Sequence, residues 1–190
     1  MTDREHYTPG PARGAEIQKN GDQWTLVLVR ELRHSPEKVW QAITDPAHLR
    51  HWAPFEADDS LARAGATVRL TAVGAPTPSV SETTVRRADA PKILEYNWGN
   101  HDMRWGLEAS GGGTRLTLWT NIGRRYVAMG AAGWHICFDV LDRLLAGTPI
   151  GRIVGPDAMQ FGGWQRLAAE YATQFGVETP NWPPQAAQKP

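Results

Sequence analysis

The chain has 190 residues, with 20 Lys plus Arg against 20 Asp plus Glu, so no net field draws in nucleic acid or an anionic lipid surface. The length suits one domain with a sizeable core, and the single cysteine, Cys137, excludes an intramolecular disulfide and a thiolate metal site. No apolar run approaches the roughly 20 residues of a membrane span, and the opening Met-Thr-Asp-Arg-Glu-His has no signal-peptide character, so a cytoplasmic protein without membrane insertion is expected.

Residues 1–22 are rich in Pro, Gly and charge without periodicity; they are expected to be a flexible extension ahead of a domain over 23–177. Trp24 to Arg33 is aliphatic and β-branched and predicts a first strand. Residues 34 to 52 then predict two short helices. Ser35 before Pro36 is a helix start, Thr44 or Asp45 before Pro46 repeats it, and Val39, Trp40 and Ile43 form one apolar stripe. Leu49 and Trp52 mark the second helix, with Trp52 placed nearer the mouth of a cup.

Val68 and Leu70 alternate with Thr67, Arg69 and Thr71 in a strand over 65–72, and the Gly- and Pro-bearing segment 73–79 predicts a loop. Strands at 80–88 and 92–99 follow, with Asp89-Ala90-Pro91 as the turn between them. Gly99-Asn100 predicts a tight hairpin into a strand at 103–108, and Ser110-Gly111-Gly112-Gly113 another into 114–122. These make six antiparallel strands. From about Arg124 the period changes to 3.6: Trp134, Phe138, Leu141 and Leu145 form the apolar stripe of a long helix that ends at Gly147. After a loop at 148–156, Asp157 is placed as the cap of a second helix carrying Trp164, Leu167, Tyr171 and Phe175, and 178–190 is a Pro-rich tail.

The run Ser35-Pro-Glu-Lys-Val-Trp-Gln-Ala-Ile-Thr-Asp-Pro with Trp52 downstream, the strand pair Thr84 to Trp98, Gly113-Thr-Arg-Leu-Thr-Leu and the helix Gly133 to Gly147 together resemble the SRPBCC or START-like superfamily. The nearest branch is the one named after the activator of the heat-shock-protein-90 ATPase. The resemblance covers about residues 24 to 176 and implies an α+β helix-grip fold: a curved antiparallel sheet of six or seven strands, two small helices after the first strand, and an interrupted long C-terminal helix on the concave face. It also implies a small hydrophobic molecule held between helix and sheet, whereas fold alone does not settle function. Two departures stand out. The last strand, Leu118-Trp-Thr-Asn-Ile, has no histidine where many members carry one, and the break at 147–156 could form a hinge or lid.

Nine tryptophans supply rings for an apolar pocket. The candidate ligand-binding residues are Trp52, Phe55, Leu70, Met103, Trp105, Leu107, Leu118, Trp134, Phe138 and Leu141. Arg30 shares parity with Leu28 and Leu32 and is a polar candidate. His135 is the other, with Asp139 at i+4; because it follows Trp134, it is rotated about 100° from the apolar stripe, and a helix-flank ion pair with Asp139 is expected. His34, His48, His51 and His101 are scattered and no HExxH pattern occurs, so neither a metal nor a cofactor is expected. Cys137, in an apolar helical run, is expected to be packing. The sequence therefore predicts a monomer or homodimer that binds a small hydrophobic ligand, without nucleic acid and without catalysis of its own. A cyclase or aromatase-type enzyme and a co-chaperone-type interaction module are the alternatives.

Overall fold

The computed structural model describes residues 4–74, 77–161 and 163–179. The tail expected at 178–190 lies almost wholly outside the described residues, as do two residues of the predicted loop 73–79. Among the described residues nine strands form: β1 (Ala15–Asn20), β2 (Gln23–Leu32), β3 (Phe55–Ala57), β4 (Thr67–Ala72), β5 (Val80–Thr84), β6 (Arg87–Asp89), β7 (Ile93–Trp98), β8 (His101–Ser110) and β9 (Gly113–Asn121). Helices α1 (Pro36–Thr44) and α2 (Pro46–Leu49) follow β2, and α3 (Val127–Leu145), α4 (Pro156–Gln160) and α5 (Trp164–Phe175) follow β9.

Six strands pair in the order β1-β2-β9-β8-β7-β6, every pair antiparallel, and β3-β4-β5 make a second antiparallel sheet. The predicted strand 80–88 is in fact two, because the chain changes partner at one peptide. Val85 N–H still donates to Ala66 O at 2.9 Å on the β4 side, and Arg86 N–H already donates to Glu95 O of β7 at 2.8 Å. That corner curls the sheet. Register then fixes the inner face: Leu28 lies opposite Leu118, Leu118 opposite Trp105, and Trp105 opposite Leu94. This helix-grip arrangement is the fold expected from the sequence.

The local signals act as chemistry requires. Ser35 Oγ accepts from Lys38 N–H at 3.4 Å, and Asp45, of the two residues considered, caps α2 by accepting from Ala47 N–H at 2.8 Å. Gly99 takes φ +56° while Asn100 stays negative, which is the pattern of a II′ hairpin turn; Gly111 and Gly112 both take positive φ, as a I′ turn demands. Lys38 Nζ donates to Leu145 O at 2.7 Å, satisfying a carbonyl at the C-terminus of α3.

Two expectations at the ends are corrected. Asp157 does not cap a long helix: α4 is one short turn capped by Gly155, and Asp157 instead lies 3.6 Å from Arg4, with α5 starting separately at Trp164. Residues 4–22 are not a loose extension. β1 pairs along β2, Tyr7 is buried, and the chain between them is strapped across α3 and α5. Ala12 N–H donates to Glu170 at 2.7 Å, Val29 N–H donates to Gly14 O at 2.6 Å, and Gln174 donates to Ala15 O. Pro and Gly there mark a strap whose donors and acceptors are satisfied by distant elements, which low periodicity cannot reveal.

Gly14 holds φ +62°, and a Cβ there would collide with Val29 O. Gly14→Ala is therefore expected to cost about 1–3 kcal/mol in urea unfolding and to speed tryptic cleavage after Arg13. An unchanged cleavage rate would mean that the strap is not held by this contact.

Candidate functional site

The candidate rings converge beneath α3. Trp105 is edge-on to Trp52 at 6.0 Å and to Trp134 at 5.7 Å between centroids, with Phe138 at 6.0 Å. Phe55 adds contacts to Tyr96 at 6.3 Å and Trp98 at 5.2 Å, and Trp98 reaches Trp134 at 6.4 Å. Leu70, Met103, Leu107, Leu118 and Leu141 are buried in the same cluster. Edge-to-face packing of this kind is worth about 0.5–1.5 kcal/mol per pair beyond burial, and it means the rings touch one another. Trp52 is not at the mouth: it is fully buried, with its indole N–H donating to Ala42 O at 2.8 Å.

A polar cluster lies beside these rings. Arg30 does point inward, and its Nη2 sits 3.1 Å from Asp139 Oδ1 and 3.2 Å from His135 O, with the guanidinium 6.0 Å from the Phe138 ring. His135 is not on a helix flank. It is 1 % exposed, its Nδ1 lies 2.7 Å from Tyr171 Oη, and its Nε2 lies 3.6 Å from Asp139 Oδ2. The rotation away from Trp134 is real, but α5 and the strap cover that side of α3. Tyr7 Oη donates to Asp139 Oδ2 at 2.8 Å, and Tyr171 Oη is 2.9 Å from Arg13 O. With its single proton, Tyr171 can donate to Arg13 O or to His135 Nδ1. The second choice leaves Nε2–H facing the carboxylate, which puts opposite partial charges together.

Burial pushes the His135 imidazole down to about 4, opposed by the Asp139 carboxylate and reinforced by Arg30. Burial likewise lowers the Arg30 guanidinium from its ordinary value against the pull of Asp139, and raises the Tyr7 and Tyr171 phenols. The Cys137 thiol, fully enclosed, is pushed up to about 12 and is unsuited to nucleophilic work. The strand residues Arg69, Glu82 and Arg104 face solvent. Among the described residues, no group of three or more His, Cys, Asp or Glu is placed to hold a metal ion.

Among the clefts lined by the described residues, two reach the surface away from the candidate rings. The larger, of about 690 Å³, runs from Pro36 and Lys92 across Arg104, Gly106 and Trp119; of the candidates only Leu107 reaches it. The smaller, of about 310 Å³, is formed by His101, Ile122, Tyr126, Met129, Gly133, Met159 and Trp164 among others, and none of the candidates lines it. It adjoins the rings through His101, which stands 6.2 Å from Trp98. A signal for it existed: Tyr126, Met129, Gly130 and Gly133 fall at i, i+3, i+4 and i+7, one face of α3 next to the Trp134 stripe. The opposing wall, from α4 and α5, had no local signal.

The family model described as activator of Hsp90 ATPase homolog 1-like protein matches residues 33–146, more than half of the chain. The chain belongs to that family. No curated protein matches it. Among solved structures, a conserved protein of unknown function from Enterococcus faecalis superposes with a TM-score of 0.62 at 15% identity, covering 84% of this chain and 89% of its own. CalU16 of Micromonospora echinospora gives 0.59 at 19% identity, with 88% and 98% covered, and a protein of Mesorhizobium loti gives 0.55 at 25% identity, with 66% and 99% covered. These likenesses carry the fold. The family match stops at 146, so the strap, α4 and α5, which close the polar cluster and the smaller cleft, lie outside it.

The polar cluster makes stability depend on pH. An imidazole that titrates at 6.5 when unfolded and at about 4 when folded takes up its proton first in the unfolded state. Stability should be full above about 6.5 and fall by ~3 kcal/mol as pH drops toward 4. Urea midpoints measured across that range should show the slope, and His135→Gln should flatten it.

Proposed function

We propose that this protein binds a small, mostly apolar molecule seated in the cleft along the first turns of α3, between that helix, the strand ends at His101 and Ile122, and α4 with the start of α5. The observation that carries the reading is the cleft itself. At about 310 Å³ it has room for a small ligand, with ligand pockets running from about 300 Å³ upward. Thioether and aromatic side chains, Met129, Met159, Tyr126 and Trp164, supply apolar wall, and Trp98 and Trp134 stand behind His101. The buried rings from Trp105 to Phe138 act in this reading as the firm back of the site, and Arg30 and His135 hold α3 at its height over the sheet.

A catalytic role for His135 has less support, since the ring is held by Tyr171 and Asp139 and does not line the cleft. A protein-interaction role draws support from the mutual packing of the candidate rings, which leaves little room among them. It requires an exposed apolar patch. Among the described residues the two large exposed apolar side chains, Val80 and Tyr126, sit apart in sequence, on β5 and just before α3.

Native mass spectrometry of the protein purified from its own host, followed by solvent extraction, should release a small apolar molecule. Gly133→Leu should abolish its retention, because Gly133 lines the cleft and a Cβ there would enter open space with no atom within 4 Å, leaving room for the longer side chain to fill it. Protein that is empty in every preparation, with Gly133→Leu indistinguishable from the wild type in binding hydrophobic dyes, would overturn the reading in favour of the interaction module.

A further inference from the structure

We infer that the ligand of this cleft is a flat aromatic ring system carrying one hydrogen-bond donor, a phenolic hydroxyl or ring N–H, which is received by His101; the inference rests on the binding reading given above.

The shape comes from glycine. Gly123, Gly130, Gly133 and Gly155 all line the cleft, so much of its wall is bare backbone. On α3 the two glycines differ. A Cβ at Gly130 would run into Ile122, whereas one at Gly133 would meet nothing, so the free space lies over the helix at 133 and is bounded by Ile122 one turn earlier. Facing side chains are Met and aromatic, which stack on a flat ring as well as on any alkyl chain. A slot with a bare floor and polarizable walls admits a planar molecule more readily than a branched one.

The polarity comes from His101. Its Nδ1 is 2.9 Å from Asn121 O, and a carbonyl oxygen only accepts, so Nδ1 carries the proton. In the neutral ring that leaves Nε2 as a bare lone pair, and a lone pair asks for a donor. The same backbone hydrogen bond, across the start of β8 and the end of β9, holds the imidazole in this tautomer before any ligand arrives. Tyr126, 56 % exposed at the rim, and Trp164 are the other side-chain hydrogen-bonding groups of the cleft; the rotatable Tyr126 hydroxyl accommodates donor and acceptor alike, and the Trp164 indole N–H only donates, which the oxygen of a phenolic hydroxyl can accept. No cationic side chain lines the cleft, which disfavours a carboxylate.

The test uses matched planar probes at pH 8, above the ordinary imidazole range: 2-naphthol, 2-methoxynaphthalene and 2-naphthoate, followed by quenching of tryptophan fluorescence. Wild-type protein should bind 2-naphthol on the order of tenfold more tightly than the methoxy ether, the size of one good neutral hydrogen bond, and should bind 2-naphthoate weakest. His101→Phe, at an exposed position, should bring naphthol and ether to equal affinity while keeping both; Gly133→Leu should weaken all three. Equal affinity for naphthol and ether in the wild type, with Gly133→Leu still weakening both, would overturn the donor inference and leave the binding reading standing. Binding of every probe unaffected by Gly133→Leu, or no binding at all, would overturn both.

Discussion

A guanidinium on the inner face of a sheet must find its counter-charge there, and Arg30 finds it in Asp139 at 3.1 Å. That single requirement organises the whole side of the molecule where α3 lies. Removing one partner of a buried pair leaves a charge whose desolvation costs several kcal/mol, on the order of 3–5 in measured cases. Asp139 keeps some solvent contact, which softens the penalty without removing it. The pair also needs its remaining lone pairs satisfied, and Tyr7 from the strap and His135 from one turn earlier on α3 surround the same carboxylate. Arg30 further donates to the His135 carbonyl. One inward arginine thus sets the axial position of α3, draws in the strap, and gives α5 a reason to dock through Tyr171.

With α3 held at that height, the aromatic rings fit as a consequence. Trp134 and Phe138 descend onto Trp105 at spacings that leave edge-to-face contacts, and Trp52 and Phe55 close the cluster from the α2 side. The residues that looked most like a pocket lining are thereby the core. One open volume lies where α3 has no side chains to offer, at Gly130 and Gly133, and where α4 and α5 stand off from it.

The polar cluster and the cleft are separated by the same geometry. His135 titrates in a closed cluster and reports on how α3 and α5 are held together; His101 lies in the cleft at the sheet's edge. Two histidines of one chain sit in unlike settings: the buried one has its Nδ1 at Tyr171 Oη and its Nε2 toward Asp139, the exposed one has its Nδ1 at Asn121 O and lies at the cleft.

What the sequence determined by itself was everything carried by short-range rules. Periods of 2 and 3.6 located β2, β4, β7 to β9 and α3; Ser35, Asp45 and the two prolines placed α1 and α2; glycines at 99, 111 and 112 dictated hairpins because only they take the needed positive φ without strain. Arg30's parity with Leu28 and Leu32 correctly put it inside, as alternation along a strand must unless a bulge intervenes. Only the tertiary structure decided which side chains meet. His135 was read as a helix flank because its neighbours in sequence are all that periodicity knows, while Tyr171 and Arg13, 36 residues later and more than 100 earlier, are what bury it. The strap likewise had no pattern of its own, since its hydrogen bonds go to α5 and β2 instead of along itself. The cleft is the same case: one wall is written on α3 at helical spacing, but its opposite wall comes from a segment whose place depends on long-range packing, and empty space between two walls has no residue to encode it.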